Sequence, residues 1–152
     1  MIDTQLASFL QEGLGIYLGT RDDALRPEGA RALAAAIDAD GAHVTVYAAE
    51  IAAERLRANL ESNGQIAVSF ARPIDDRACQ VKGVCVGIRP ASGEERPLID
   101  GQWAAFMRSL DAIGIPSSLA GAWVTWPALA IRLRVTAVFD QTPGPHAGAA
   151  LE

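Results

Sequence analysis

The segment LAIRLRVTAVF at 129–139 constrains the fold of this chain more than any other. Apolar residues occupy every second position from Leu129 to Phe139, and two arginines and a threonine stand among the positions between them. Because successive side chains of a strand point to opposite faces of a sheet, this period of two predicts a strand whose apolar positions share one buried face. Segments 65–70 and 77–89 predict two more strands.

Turn-forming residues and helix-ending glycines divide the rest of the chain into short elements. The remaining predicted strands are 14–20, 29–37 and 43–47. The predicted helices are 5–11, 49–64, 97–114 and 116–123. About six strands therefore alternate with few helices, one of which follows strand three while others form an insertion before the last strand. This order predicts a small antiparallel β-barrel with helices packed outside.

Two patterns predict finer detail within these elements. In the strand at 77–89 the apolar parity shifts near Gly83, which predicts a bulge or bend at that glycine. In the second helix Ile51, Leu56 and Leu60 fall close to one side, which we expect to face the core. The helix at 97–114 has an apolar stripe, expected to pack on the barrel, that consists of Trp103, Phe106, Met107, Leu110 and Ile113.

The composition excludes several classes of function. The net charge of −5 over 152 residues argues against a nucleic-acid-binding protein, which needs a basic surface. No apolar run approaches the roughly 20 residues of a membrane helix, and the N-terminus has no signal-peptide pattern, so we expect a cytoplasmic protein. The only histidines are His43 and His146, and the only cysteines are Cys79 and Cys85, so no metal site is predicted.

Cations are the residues that remain as candidates for binding chemistry. The chain has no P-loop, no nucleophile elbow and no dinucleotide-binding glycine motif. Arginine has a planar guanidinium that suits phosphate, and the chain has a single lysine. The candidate cations on predicted strands and helices are Arg31, Arg55, Arg57, Arg77 and Lys82.

Four segments in a fixed order carry a resemblance to a known family. They are GIYLGTRDDALRPEGAR (15–31), VTVYAAE (44–50), ERLRANLESNGQIAVSF (54–70) and RACQVKG (77–83). Together they resemble the FMN-binding split β-barrel family, the pyridoxamine 5′-phosphate oxidase-like proteins. The resemblance implies a split antiparallel barrel of Greek-key type, in one domain over 1–152 with an irregular tail at 145–152. It also implies bound FMN, a homodimer with the cofactor cleft at its interface, and a small-molecule substrate.

The same resemblance implies the residues that bind the cofactor. In the family an arginine that opens strand two binds the flavin phosphate, and Arg31 matches it, while Arg55 matches a second basic residue on the following helix. Arg77 and Ala78 match the strand segment that faces the flavin ring. The complete predicted set is Arg31, Ala32, Leu33, Tyr47, Arg55, Arg77, Ala78, Gln80 and Lys82. Where the family has polar residues, the chain has Ala36, Leu56 and Ala78.

Three functions stay open at this point. The first is an FMN-dependent oxidoreductase in which the flavin carries the hydride chemistry. The second is a protein that holds a flavin or a haem without turnover, with His43 or His146 as an axial ligand of the haem. The third is a ligand-free dimer that acts through protein contacts. No catalytic residue is predicted for any of them.

Overall fold

The computed structural model describes residues 1–119 and 123–151. Its strands are β1 (Gly15–Arg21), β2 (Pro27–Ile37), β3 (His43–Ala49), β4 (Gln65–Ala71), β5 (Ala78–Pro90) and β6 (Ala128–Asp140). These strands form a closed barrel in the order β1-β2-β3-β6-β5-β4, and every neighbouring pair is antiparallel. The predicted six-stranded antiparallel barrel is therefore confirmed.

The helices lie where the turn and capping signals predict them, within a few residues. They are α1 (Thr4–Leu10), α2 (Glu54–Asn63) and α3 (Arg96–Ala112). Asp3 caps α1, because its carboxylate accepts a hydrogen bond from the N–H of Leu6 at 2.7 Å. Gly64 ends α2 in the left-handed conformation with φ of 69°. Among the described residues, no helix is both long and apolar enough to span a bilayer.

Two hydrophobic clusters hold the fold together. The larger one fills the barrel with alternate residues of the strands, and α1 and α2 add Phe9, Leu10, Leu56 and Leu60 to it. The smaller one lies between α3 and the outer surface of β2, β3 and β6. Its buried members are Leu33, Ala34, Tyr47, Ala49, Ala91, Ile99, Ala128 and Ala130. Helix α3 thus covers one side of the barrel from outside.

A side-chain clip fixes α3 against β2. The amide of Gln102 accepts the N–H of Ala35 at 2.9 Å and donates to its carbonyl at 2.8 Å. Strand β2 has a register shift between Ala32 and Ala34, beside this clip. Phe106 lies one turn further along α3 and is buried. The clip therefore determines where the ring of Phe106 lies on the barrel.

The predicted alternation of β6 breaks at Thr136. Lys82 pairs with Ala137 whereas Gly83 pairs with Val135, so Thr136 is an extra residue on β6. Beyond this bulge Val138 enters the barrel core, while its neighbours Ala137 and Phe139 do not. The prediction that one face continues through Phe139 is wrong, because an unpaired residue shifts every later side chain to the other face.

The predicted irregularity near Gly83 is confirmed, but its cause differs from the expected one. Gly83 keeps its inward position, where a Cβ would lie 2.4 Å from the carbonyl oxygen of Arg134, so glycine permits the close approach of β6. The extra residue of β5 is Val86, which lies between the pairs made by Cys85 and Gly87 and is 52% exposed.

Three details of the predicted helices are wrong. Ile51 is 81% exposed in a 3₁₀ turn at Glu50–Ala52, because α2 begins only at Glu54. Ile113 follows the end of α3 and is exposed. The helix predicted at 116–123 is a 3₁₀ turn at Ser117–Leu119, while 120–122 lie outside the described residues.

Candidate functional site

The outer surface of β2, β1, β4 and β5 brings several predicted site residues onto one face. Arg31 pairs with Tyr17, Tyr17 with Ser69, and Ser69 with Gln80, so these four form one row across the strands. Since neighbouring strands lie ~4.8 Å apart, this row spans roughly 14 Å from Arg31 to Gln80. Lys82 lies two residues further along β5 on the same face, because Gln80 and Lys82 alternate with buried residues. We call this surface the outer face.

Ala78 belongs to the same face, at the start of β5. It is half-buried, and its N–H donates a hydrogen bond to the Oγ1 of Thr142 at 3.1 Å. Gln80 donates from Nε2 to the Oγ of Ser69 at 3.2 Å, and the Nζ of Lys82 lies 4.9 Å from the centre of the Phe139 ring. The outer face thus carries the polar side chains of Gln80 and Lys82, of which Lys82 is exposed.

The structure places the other predicted residues away from the outer face. Ala32 lies in the barrel core, and Leu33 and Tyr47 lie in the cluster beneath α3. Arg55 is 85% exposed on α2, with its guanidinium 3.9 Å from a glutamate carboxylate of β2. Arg77 lies with its guanidinium 4.1 Å from the centre of the Phe9 ring.

The predicted cations do not meet within the chain. Arg31, Arg55, Arg77 and Lys82 each line a different surface pocket. A shared anion site among them therefore needs either a second copy of the chain or a ligand long enough to reach from one pocket to the next.

Arg31 has the most unusual environment of these cations. Its guanidinium carbon lies 4.5 Å from the ring centre of Tyr17, 4.9 Å from that of Phe106 and 4.7 Å from that of Trp123. Its Nη2 donates a hydrogen bond to the Tyr17 hydroxyl. Burial among the three rings lowers the pKa of the guanidinium.

Two donors of this guanidinium are left without a partner. The Nε and Nη1 of Arg31 are buried and make no hydrogen bond to any described residue. An unmade hydrogen bond of a buried group costs about 1–3 kcal/mol. Each cation–π contact offsets about 0.5–2 kcal/mol of such a cost, but satisfies no donor. Arg31 is therefore a desolvated cation that still has hydrogen bonds to give, the chemistry expected of an anion site.

A cavity of about 350 Å³ opens beside Arg31. Its apolar walls include Tyr17, Phe106 and Leu110 of α3, and Ile115 beyond the end of that helix. A second arginine of this cavity, Arg72, is neutralised by ion pairs to Asp75 at 2.6 Å and Glu12 at 2.9 Å. Arg31 is the cation of this cavity whose buried donors lack partners among the described residues.

Tyr47 is engaged in a different network, which anchors the start of α3. Its hydroxyl donates to Glu95 at 2.8 Å, and Arg89 donates to both carboxylate oxygens of Glu95 at 2.7 Å. Burial, followed by the hydrogen bond to Glu95, raises the pKa of Tyr47 well above its ordinary value of 10. The hydrogen bonds from Arg89, ahead of others, lower the pKa of Glu95 to about 2. The Tyr47 hydroxyl is therefore already satisfied within the chain.

The histidines proposed as axial ligands lie apart from Arg31. His43 is on the β2–β3 hairpin, where its Nδ1 lies 2.8 Å from the Asp40 carboxylate, and His146 is exposed in the tail. Possible ligand atoms of Asp38, Asp40 and His43 come within 4.8 Å of one another. Because Asp38 is ion-paired with Arg132, this group of side chains is already satisfied by bonds of its own.

Sequence reasoning missed the aromatic residues around Arg31. Tyr17 stands in a segment that carries the family resemblance, so its position beside the matching arginine could have been noticed. Phe106 belongs to the apolar stripe that is expected to pack on the barrel, and its side chain is buried as expected. No feature of the sequence marks Trp123 as a neighbour of Arg31, because only the tertiary fold brings it to β2.

Comparison with models of known protein families and with curated protein sequences gives no match. Solved structures do match. HupZ from Group A Streptococcus superposes with a TM-score of 0.59 at 16% identity, over 97% of this chain and 100% of HupZ. A candidate pyridoxamine 5′-phosphate oxidase from Lactobacillus delbrueckii gives 0.56 at 14% identity, over 90% and 93% of the two chains. An FMN-binding protein from Syntrophomonas wolfei gives 0.53 at 14% identity, over 88% and 82%.

These similarities, together with the closed six-stranded barrel, show the fold. The chain has the fold of the FMN-binding split β-barrels, as the sequence resemblance implies. At identities of 14–16% the similarity concerns the fold alone.

Proposed function

We propose that this protein is an FMN-dependent oxidoreductase of the pyridoxamine 5′-phosphate oxidase-like class that binds the flavin phosphate through Arg31. The observation that carries the proposal is the pair of buried donors, Nε and Nη1 of Arg31, that have no partner among the described residues. A phosphate monoester offers anionic oxygens to such donors, and charge-assisted bonds of this kind are the strong ones. Bound FMN would supply the hydride chemistry.

Gln80 and Lys82 are the residues we propose to lie near the rest of the flavin. They share the outer face with Arg31, and a hydrogen-bonding or positive neighbour favours the electron-rich reduced flavin. The role of the protein would be to hold and orient the cofactor beside a small-molecule substrate. A cytoplasmic location stays a prediction.

A homodimer is part of the same proposal. Helix α3 covers the β2 end of the outer face, whereas the face is exposed at Tyr17, Gly19 and Lys82. Small residues make part of it flat, among them Gly19, Gly29 and Ala67, and the nearby Tyr17 side chain is half exposed. A second copy that packs here would bring two sets of cations around one cleft, which the separate pockets of a single protomer do not achieve.

An absorption spectrum after FMN loading and desalting tests the proposal. We expect the wild-type protein to retain the flavin bands and Arg31→Gln to lose affinity by about 10- to 100-fold, since a hydrogen bond to a charged group is worth about 1.5–3 kcal/mol. Arg108→Gln, which changes an exposed arginine of α3, is the matched control. Sedimentation analysis of the loaded protein checks for a dimer.

A wild-type protein that stays colourless with FMN would contradict the proposal. Haem-type bands that appear with added haem and disappear in His43→Ala or His146→Ala would favour the haem-binding alternative instead. A stable dimer without affinity for either ligand would favour a role in protein contacts.

A further inference from the structure

The indole of Trp123 lies against the guanidinium that the proposed function assigns to phosphate. We propose that Trp123 and a phosphate group compete for Arg31, so that Trp123 sets the affinity of this anion site. This inference rests on the proposed function, because the phosphate of FMN is the anion expected there. It concerns the arrangement in which three aromatic rings surround the guanidinium.

Of the three rings around Arg31, that of Trp123 is the least firmly fixed by the rest of the protein. Tyr17 lies on β1 within the barrel, and its hydroxyl accepts a hydrogen bond from Arg31. Phe106 is buried on α3. Trp123 is 45% exposed, belongs to no helix or strand, and its ring contacts Trp103 at 5.7 Å between centroids. Its departure would disturb the packing of the barrel less than that of either other ring.

The chemistry of the guanidinium favours an anion over the indole. An aromatic face attracts the charge of Arg31 but accepts none of its in-plane N–H groups, which is why Nε and Nη1 stay unpaired. A phosphate satisfies those donors and the charge together. Among the charged neighbours in the cavity, Arg72 is paired with Asp75 and Glu12, and Asp76 opposes a second negative charge. We therefore expect phosphate to displace the indole only at sufficient concentration.

Isothermal titration with inorganic phosphate and pyrophosphate measures the competition without any flavin. Removing one exposed cation–π contact of about 0.5–1 kcal/mol should tighten phosphate binding about two- to fivefold in Trp123→Ala. Trp126→Ala is the matched control, because its ring lies over Arg96 at 5.4 Å instead of over Arg31. Circular dichroism of each variant establishes that it is folded.

A second measurement follows the indole itself. In protein labelled with 5-fluorotryptophan, the ¹⁹F resonance of Trp123, assigned by its loss in Trp123→Phe, should move on addition of phosphate. The resonance of Trp126 should stay in place, and Arg31→Gln should abolish the movement. This readout keeps all three tryptophans of the chain.

The outcomes separate this inference from the proposed function. Unchanged or weaker phosphate binding by Trp123→Ala overturns the competition, and so does the absence of phosphate binding by both proteins. Phosphate competition in a protein that retains no FMN supports the competition but contradicts the flavin proposal. Retained FMN with equal phosphate affinity in wild type and Trp123→Ala supports the flavin proposal and overturns the competition.

Discussion

Replacement of Glu95 by glutamine tests the network that anchors the start of α3. The carboxylate accepts two hydrogen bonds from Arg89, one from Tyr47 and one from the N–H of Ser92 at 2.8 Å. A pKa lowered from 4.5 to about 2 corresponds to about 3 kcal/mol of stabilisation. The Glu95 side chain is 19% exposed but that of Arg89 is 56% exposed, so water screens the ion pair. We therefore expect Glu95→Gln to lower the free energy of unfolding by about 2 kcal/mol.

The stabilisation by Glu95 should depend on pH in a definite direction. Because the pKa of Glu95 is lower in the folded protein, its stabilisation is complete above about pH 4.5 and is lost as the pH falls towards 2. The difference in unfolding free energy between wild type and Glu95→Gln should be constant from pH 7 to pH 5 and fall to about 40% at pH 3.

Urea unfolding followed by circular dichroism, at each pH, measures this difference. Glu94→Gln is the control, since that neighbour is exposed and should change the free energy of unfolding by less than about 0.5 kcal/mol. A loss in Glu95→Gln that does not change with pH would refute the reasoning, because the cost would then come from packing instead of from the charge.

Two other predictions follow from β5. Gly83→Ala should destabilise the barrel by more than about 2 kcal/mol in urea unfolding, because the added Cβ would lie 2.4 Å from a backbone oxygen of β6. Gly87→Ala is the control and should be close to neutral, since a Cβ there would have nothing within 4 Å. Equal effects of the two substitutions would contradict the close approach of β6. Burial raises the pKa of Cys79 to about 11 and, to a lesser extent, that of the more accessible Cys85. Iodoacetamide at pH 8 should therefore modify Cys85 first and Cys79 only on unfolding, and rapid alkylation of the native Cys79 would contradict this order.

The strands of the barrel could be predicted because the sequence signals that mark them are local. Period-two segments and glycine, proline and aspartate turns mark all six strands, with bounds that differ from the structure by only a few residues. Gly64 marks the end of α2 through its left-handed conformation. The meander pattern and the family resemblance together predicted that the strands form a barrel, but the order of the strands in it is known only from the structure.

Bulges and long-range contacts could not be predicted in the same way. Thr136 has the pattern of one more polar position in a regular strand, because nothing in the local sequence shows that the register between β5 and β6 leaves Thr136 as an extra residue. Trp123 lies 92 positions from Arg31, and its contact exists only because α3 turns the chain back over β2. The sequence could identify Arg31 as a candidate, but not its environment.

The position of α3 links these long-range contacts to what the barrel can bind. Gln102 ties α3 to the backbone of Ala35, and Phe106, one turn later, is thereby placed over Arg31. Glu95 fixes the other end of the helix through Tyr47. Any change that loosens either anchor should move an aromatic ring relative to the guanidinium and so alter anion affinity without touching the ligand. The insertion that reads as peripheral packing in the sequence is therefore the element expected to set the strength of the site.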